Sequence, residues 1–99
     1  MTVSSRFTAA CVQMRTGKDI DANIADASAL VREAALNGAD FVATPETTSL
    51  MELGAARLFA NITREADDRA LKAFQALAVE TGVHLLVGSL AVQVGDKKA

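Results

Sequence analysis

The stretch Gly38-Ala39-Asp40-Phe41-Val42-Ala43-Thr44-Pro45-Glu46 decides the fold of this chain. A short apolar run from Asp40 to Thr44 lies between a glycine and a proline, and it reads as a strand. Gly38 suits the left-handed residue that follows a helix, and Pro45 cannot donate the next ladder hydrogen bond. Upstream, Ile24, Ala27, Leu30 or Val31, Ala34 and Ala35 recur at three- and four-residue steps, which predicts a helix over 21–37 with one apolar stripe. Asp19 or Asp21 can cap its start. Before it, residues 7–14 (FTAACVQM) are almost continuously apolar and fit a first strand buried on both faces.

Downstream the same grammar returns. Over 67–81, Ala70, Leu71, Phe74, Leu77 and Ala78 form a helical stripe opposed by Asp68, Lys72, Gln75 and Glu80, and Gly82 ends it. Residues 84–94 (HLLVGSLAVQV) read as a third strand, and Gly95-Asp96-Lys97-Lys98 resembles a turn beginning a hairpin. Between Glu46 and Arg64 the apolar residues Leu50, Met51, Leu53, Leu58, Phe59 and Ile62 show no clean period and Gly54 interrupts them, so a loop with short helical pieces is expected. Those apolar residues either pack as an ordinary core, line a substrate pocket or meet another subunit.

Alternating strands and helices with right-handed crossovers define an α/β chain with a largely parallel sheet. If the strand order runs one way, both helices lie on one face. Yet the strands look apolar on both faces: Ala9, Cys11 and Gln13 alternate with Ala10, Val12 and Met14, and Leu85, Val87 and Ser89 with Leu86, Gly88 and Leu90. Either a partner subunit or further chain is expected to cover the second face, and residues 1–99 are expected to be part of one incomplete domain.

Composition narrows the function. The chain has 99 residues, 51% of them hydrophobic, with a net charge of -2, which excludes a disordered polar tail. Ten Lys and Arg against twelve Asp and Glu leave no basic field for nucleic acid or an anionic membrane. Residues 1–7 lack the apolar run of a secretory signal, and no stretch of apolar residues is long enough to span a bilayer, so a cytoplasmic protein is expected. The single cysteine, Cys11, forms no intrachain disulfide or Cys/His metal set, and its place in the first strand's apolar run reads as a small buried hydrophobe. His84 has no carboxylate partner nearby in sequence and reads as structural. Asp19, Asp21, Asp67 and Asp68 are explained by helix capping and solvation, and Gly17-Lys18-Asp19 lacks the rest of a phosphate loop. No metal or cofactor is expected.

Glu46 is the most suggestive position, because it follows a strand at the carboxyl edge of the sheet, where ligands enter open α/β folds. There it is either a general base or a first-turn glutamate favouring the amino end of a following helix. Taken in order, Ala10-Cys11-Val12-Gln13-Met14, Asn23, the stretch from Gly38 to Glu46 and Val87-Gly88-Ser89-Leu90 resemble the amino-terminal segment of the nitrilase, or carbon-nitrogen hydrolase, superfamily, most closely its Nit-type amidase branch. The resemblance runs from Phe7 to the end of the chain.

It implies the amino-terminal part of a four-layer α-β-β-α sandwich, in which the second face of the sheet packs on another sheet. It also implies a Glu-Lys-Cys thioester mechanism on a small carboxylate-bearing amide, such as the ω-amide of a 2-oxo acid or a deaminated glutathione-like compound. The role of general base falls on Glu46, while the lysine and the nucleophilic cysteine belong downstream of this segment. Lys18, Lys72, Lys97 and Lys98 match no catalytic position, and neither does Cys11. The segment alone is expected to be inactive, and the full protein to be a homo-oligomer. The alternative is a small non-catalytic α/β binding or assembly module whose uncovered sheet face is its partner site.

Overall fold

A computed structural model describes residues 6–95 and 98–99. Three strands, β1 (Ala9–Cys11), β2 (Phe41–Ala43) and β3 (His84–Leu86), form a parallel sheet in the order β1-β2-β3. Between them run helix α1 (Ile20–Leu36), a short helix α2 (Ala55–Asn61), a 3-10 turn at Glu65–Asp67 and helix α3 (Arg69–Thr81).

Local chemistry sets the helix ends. Asp19 caps α1, its side chain accepting from the Ala22 N–H, and Asp68 does the same for α3 through Leu71. Gly82 ends α3 at φ 73°, a left-handed conformation that costs glycine nothing sterically. Gly38 follows α1 at φ 94°.

Both helices pack on one face of the sheet and against each other. The register places Ala10, Val42 and Leu85 in one row, and these meet Ala27 and Val31 of α1 and Ala70, Phe74 and Leu77 of α3. Across the outer surface, Arg69 pairs with Asp21 at 2.8 Å and Arg32 with Glu80 at 2.7 Å. The hydrogen bond from Arg32 holds the Glu80 carboxyl below the usual carboxylate range. Its small contribution is present at neutral pH and fades as pH falls through that lowered value.

The other face is open. Ala9, Cys11, His84 and Leu86 are exposed there, Phe41 and Ala43 are half-buried, and Phe7 lies against Phe41 with ring centroids 6.5 Å apart. The second apolar face read from the sequence is therefore present and uncovered in this chain. Cys11 is correspondingly exposed, which corrects its reading as a buried hydrophobe: it points away from the helices, on the side where nothing packs.

The strands are shorter than their apolar runs. β1 spans three residues instead of 7–14, because its sole described ladder partner, β2, is three residues long. β3 stops at Leu86 instead of continuing to Val94: the last ladder bond to β2 is from the Thr44 N–H to the Leu86 carbonyl, and beyond it Gly88, Ser89 and Ala91 bond to the turn after β2 instead. Of the expected hairpin turn, Asp96 and Lys97 lie outside the described residues, while Gly95 and Lys98 form an isolated antiparallel bridge. In the irregular segment, Leu50 and Ile62 bury themselves with Ile20, and Leu58, Phe59 and Ala91 pack beside them.

Phe74 is 2% exposed and fills the space between α1, α3 and the sheet. Its replacement by alanine is expected to cost about 3–5 kcal/mol in urea unfolding, through lost burial and the cavity left behind.

Candidate active site

Glu46 stands three residues beyond the last residue of β2, at the carboxyl edge of the sheet, and its side chain is exposed. What the structure builds around it is a rigid backbone turn. Thr44, Thr48 and Ser49 are 6%, 0% and 2% exposed, so the turn that carries the exposed Glu46 is anchored at both ends by buried polar side chains.

Each of these polar groups is bonded, as burial requires. Thr48 Oγ1 lies 2.9 Å from Thr44 Oγ1 and also against the Pro45 carbonyl. A hydroxyl carries one proton, so the pair is satisfied when Thr48 donates to the carbonyl and Thr44 donates to Thr48. Thr44 Oγ1 in turn accepts from the Gly88 N–H at 3.0 Å. Ser49 Oγ accepts from the Ala91 N–H, and the Thr48 N–H donates to the Ser89 carbonyl. The Thr47 N–H donates to Ser89 Oγ, and Thr47 Oγ1 donates to the Glu46 carbonyl at 2.7 Å. Among the described residues no buried side-chain polar atom lacks a partner.

Asn23, 3% exposed on α1, braces the loop from behind. Its amide donates to the Gly17 and Ser49 carbonyls, each at 2.9 Å, and its Oδ1 accepts from the Gly17 N–H. The Gly17 carbonyl also accepts from the Met51 N–H. One side chain thus ties the β1–α1 connection to the end of the Glu46 turn.

Two features show how tightly the turn is held. Thr47 is at φ 54°, a left-handed conformation that costs a β-branched residue about 1–3 kcal/mol and persists only where neighbours impose it. A Cβ on Gly88 would lie 2.2 Å from the Thr44 carbonyl oxygen and 2.7 Å from the Pro45 carbonyl, so the segment after β3 touches the backbone that leads to Glu46.

A family model for carbon-nitrogen hydrolases matches residues 8–98, nearly the whole chain. The chain belongs to the carbon-nitrogen hydrolase family. The sequence stretches that carried the resemblance converge here: strand β1 beside β2, Asn23 behind the turn, Pro45-Glu46 on it and Gly88-Ser89 across it. No curated protein matches the chain.

The other residues weighed from the sequence lie elsewhere in this hydrolase segment. His84 and Cys11 occupy the open sheet face, Asp19 and Asp68 are helix caps, and Asp21 pairs with Arg69. Among the described residues no group of three His, Cys, Asp or Glu could hold a metal ion, and no helix is long and apolar enough to cross a membrane. An open groove lined by Arg64, Lys72, Gln75 and Gln93 flanks α3, away from Glu46.

The polar clamp was not assigned from the sequence. Thr47, Thr48 and Ser49 fall in the segment read as a loop with short helical pieces for want of a clean apolar period; the signal for the clamp is a serine and threonine run directly after a strand, where buried backbone groups need local partners. Gly88→Ala is expected to destabilise the protein by about 1–3 kcal/mol or more, because the opposing atoms are backbone and cannot rotate away. A chemical denaturation midpoint measured beside the parent protein checks this.

Proposed function

We propose that this chain supplies the general base, Glu46, of a Nit-type amidase that hydrolyses a small carboxylate-bearing amide, such as the ω-amide of a 2-oxo acid or a deaminated glutathione-like compound. The observation that carries the reading is the placement of Glu46 at the carboxyl edge of a parallel sheet, on a turn whose polar groups are buried and bonded.

The chemistry asks for such a group. A cysteine thiol gives its proton to the Glu46 carboxylate as sulfur attacks the amide carbon, and the tetrahedral oxyanion is stabilised by a lysine ammonium. Collapse breaks the carbon–nitrogen bond, the leaving amine takes the proton from Glu46, and a thioester remains. Glu46 then accepts a proton from water as the water attacks the thioester, which releases the acid and regenerates the thiol. The lysine and the cysteine are assigned to chain beyond this segment, and the open face of the sheet to packing against a second sheet in a four-layer α-β-β-α sandwich. The segment alone is inactive in this reading, and the working enzyme is a cytoplasmic homo-oligomer.

Glu46→Gln in the protein as its natural source produces it tests the assignment, with succinamic acid as the probe amide. The expected result is a fall in kcat of about 10²–10⁴-fold with thermal unfolding unchanged, since the side chain is exposed and its neighbours' bonds are backbone-based. Undiminished turnover by this variant refutes Glu46 as the base. Incubation of the isolated 99-residue chain with the same amide is expected to give no covalent acyl adduct by intact mass.

A further inference from the structure

Building on the reading of Glu46 as the general base, we propose that Ser89 is its positioning residue: the Ser89 hydroxyl and carbonyl hold Thr47 in the left-handed conformation that sets the direction of the carboxylate one residue before it.

Among the described residues the Glu46 side chain has no hydrogen-bond or ion-pair partner that would fix its direction; its orientation descends from the backbone that carries it. That backbone turns at Thr47, φ 54°, where the sequence provides a β-branched residue instead of glycine. A threonine left to itself returns to negative φ, so the conformation depends on bonds from outside. Two of them come from one residue. The Thr47 N–H donates to Ser89 Oγ and the Thr48 N–H donates to the Ser89 carbonyl at 3.0 Å.

Ser89 can reach both groups because Gly88 before it has no side chain. At that position the chain lies so close to the Thr44 and Pro45 carbonyls that a Cβ would overlap them. The Gly88 N–H bonds to Thr44 Oγ1, which fixes the approach from the other side. Gly88 therefore sets the distance and Ser89 makes the bonds. Loss of the Ser89 hydroxyl leaves the Thr47 N–H without its acceptor at a half-buried position and removes the restraint on φ. The carboxylate then swings away from the line of proton transfer.

The test compares Ser89→Ala, Ser89→Thr and Glu46→Gln in the protein as its natural source produces it, with succinamic acid as substrate. Ser89→Ala is expected to lower kcat by about 10- to 100-fold with KM within about twofold, the signature of a displaced catalytic group. Ser89→Thr, which keeps the hydroxyl, is expected to restore most of kcat. Thr47→Gly added to Ser89→Ala is expected to recover part of the loss and any lost folding, because glycine takes positive φ without help. A parallel readout needs no turnover: the Thr47 ¹³Cα and ¹³Cβ shifts are expected to leave their left-handed values in Ser89→Ala and to return in Ser89→Thr.

If Glu46→Gln is inactive while Ser89→Ala keeps wild-type kcat, or if Thr47 keeps its left-handed shifts without the hydroxyl, the positioning role is overturned and the base assignment survives. If Glu46→Gln retains activity, the base assignment itself falls.

Discussion

Both crossovers of this chain return their helices to the same side of the sheet, as a strand order running β1-β2-β3 in one direction requires of crossovers that share one hand. That constraint fixes nearly everything else. It gives Val42 of the central strand a complete cover of Ala27, Val31, Phe74 and Leu77, and it leaves the alternate row of Cys11, Ala43 and Leu86 with none. It also directs all three strand ends to one edge, where the connections after β1, β2 and β3 meet. Glu46 is part of that edge because β2 is central and Pro45 ends it.

The energetics of the edge differ from those of the core. On the helical side, burial of aliphatic and aromatic surface does the stabilising, at about 25 cal/mol per Å² removed from water. At the edge, stability depends on satisfaction: Asn23, Thr44, Thr48 and Ser49 are buried polar groups whose desolvation is offset only because each finds a partner. Such a network is stiff, since giving up one bond strands a second group. Such stiffness suits the role of general base proposed for Glu46, and it explains why a strained threonine conformation is tolerated beside it.

The helices were the most legible part of the sequence, because a 3.6-residue stripe with an aspartate before it and a glycine after it is a local signal. Asp19, Asp68, Gly38 and Gly82 serve as those signals imply. The strands were legible in existence and parallel order but not in length, since where a ladder stops depends on the neighbour: the apolar run after Leu86 continues while its partner has turned away at Pro45. Cys11 was misplaced for the same kind of reason. An apolar strand position suggests burial, whereas actual burial depends on what covers that face. The family was legible through an ordered set of short motifs, and the match over residues 8–98 supports it. The clamp beside Glu46 was not, because hydrogen bonds donated by Thr47 and Thr48 to Ser89, 42 residues beyond Thr47, leave no periodicity to read.

The sheet presents one finished face and one open face, and the proposal that a second sheet covers the open face stands or falls on its accessibility in the native protein. Cys11 reports on it directly, since it lies on the uncovered face, at the end of edge strand β1, and is exposed in this chain. The protein as its natural source produces it should be treated with iodoacetamide under native conditions, and alkylation of the Phe7-to-Arg15 tryptic peptide followed by mass spectrometry. With the open face covered, Cys11 is expected to be protected when native and to react fully on denaturation. Labelling of the native protein at the rate of a free, solvated thiol would contradict it.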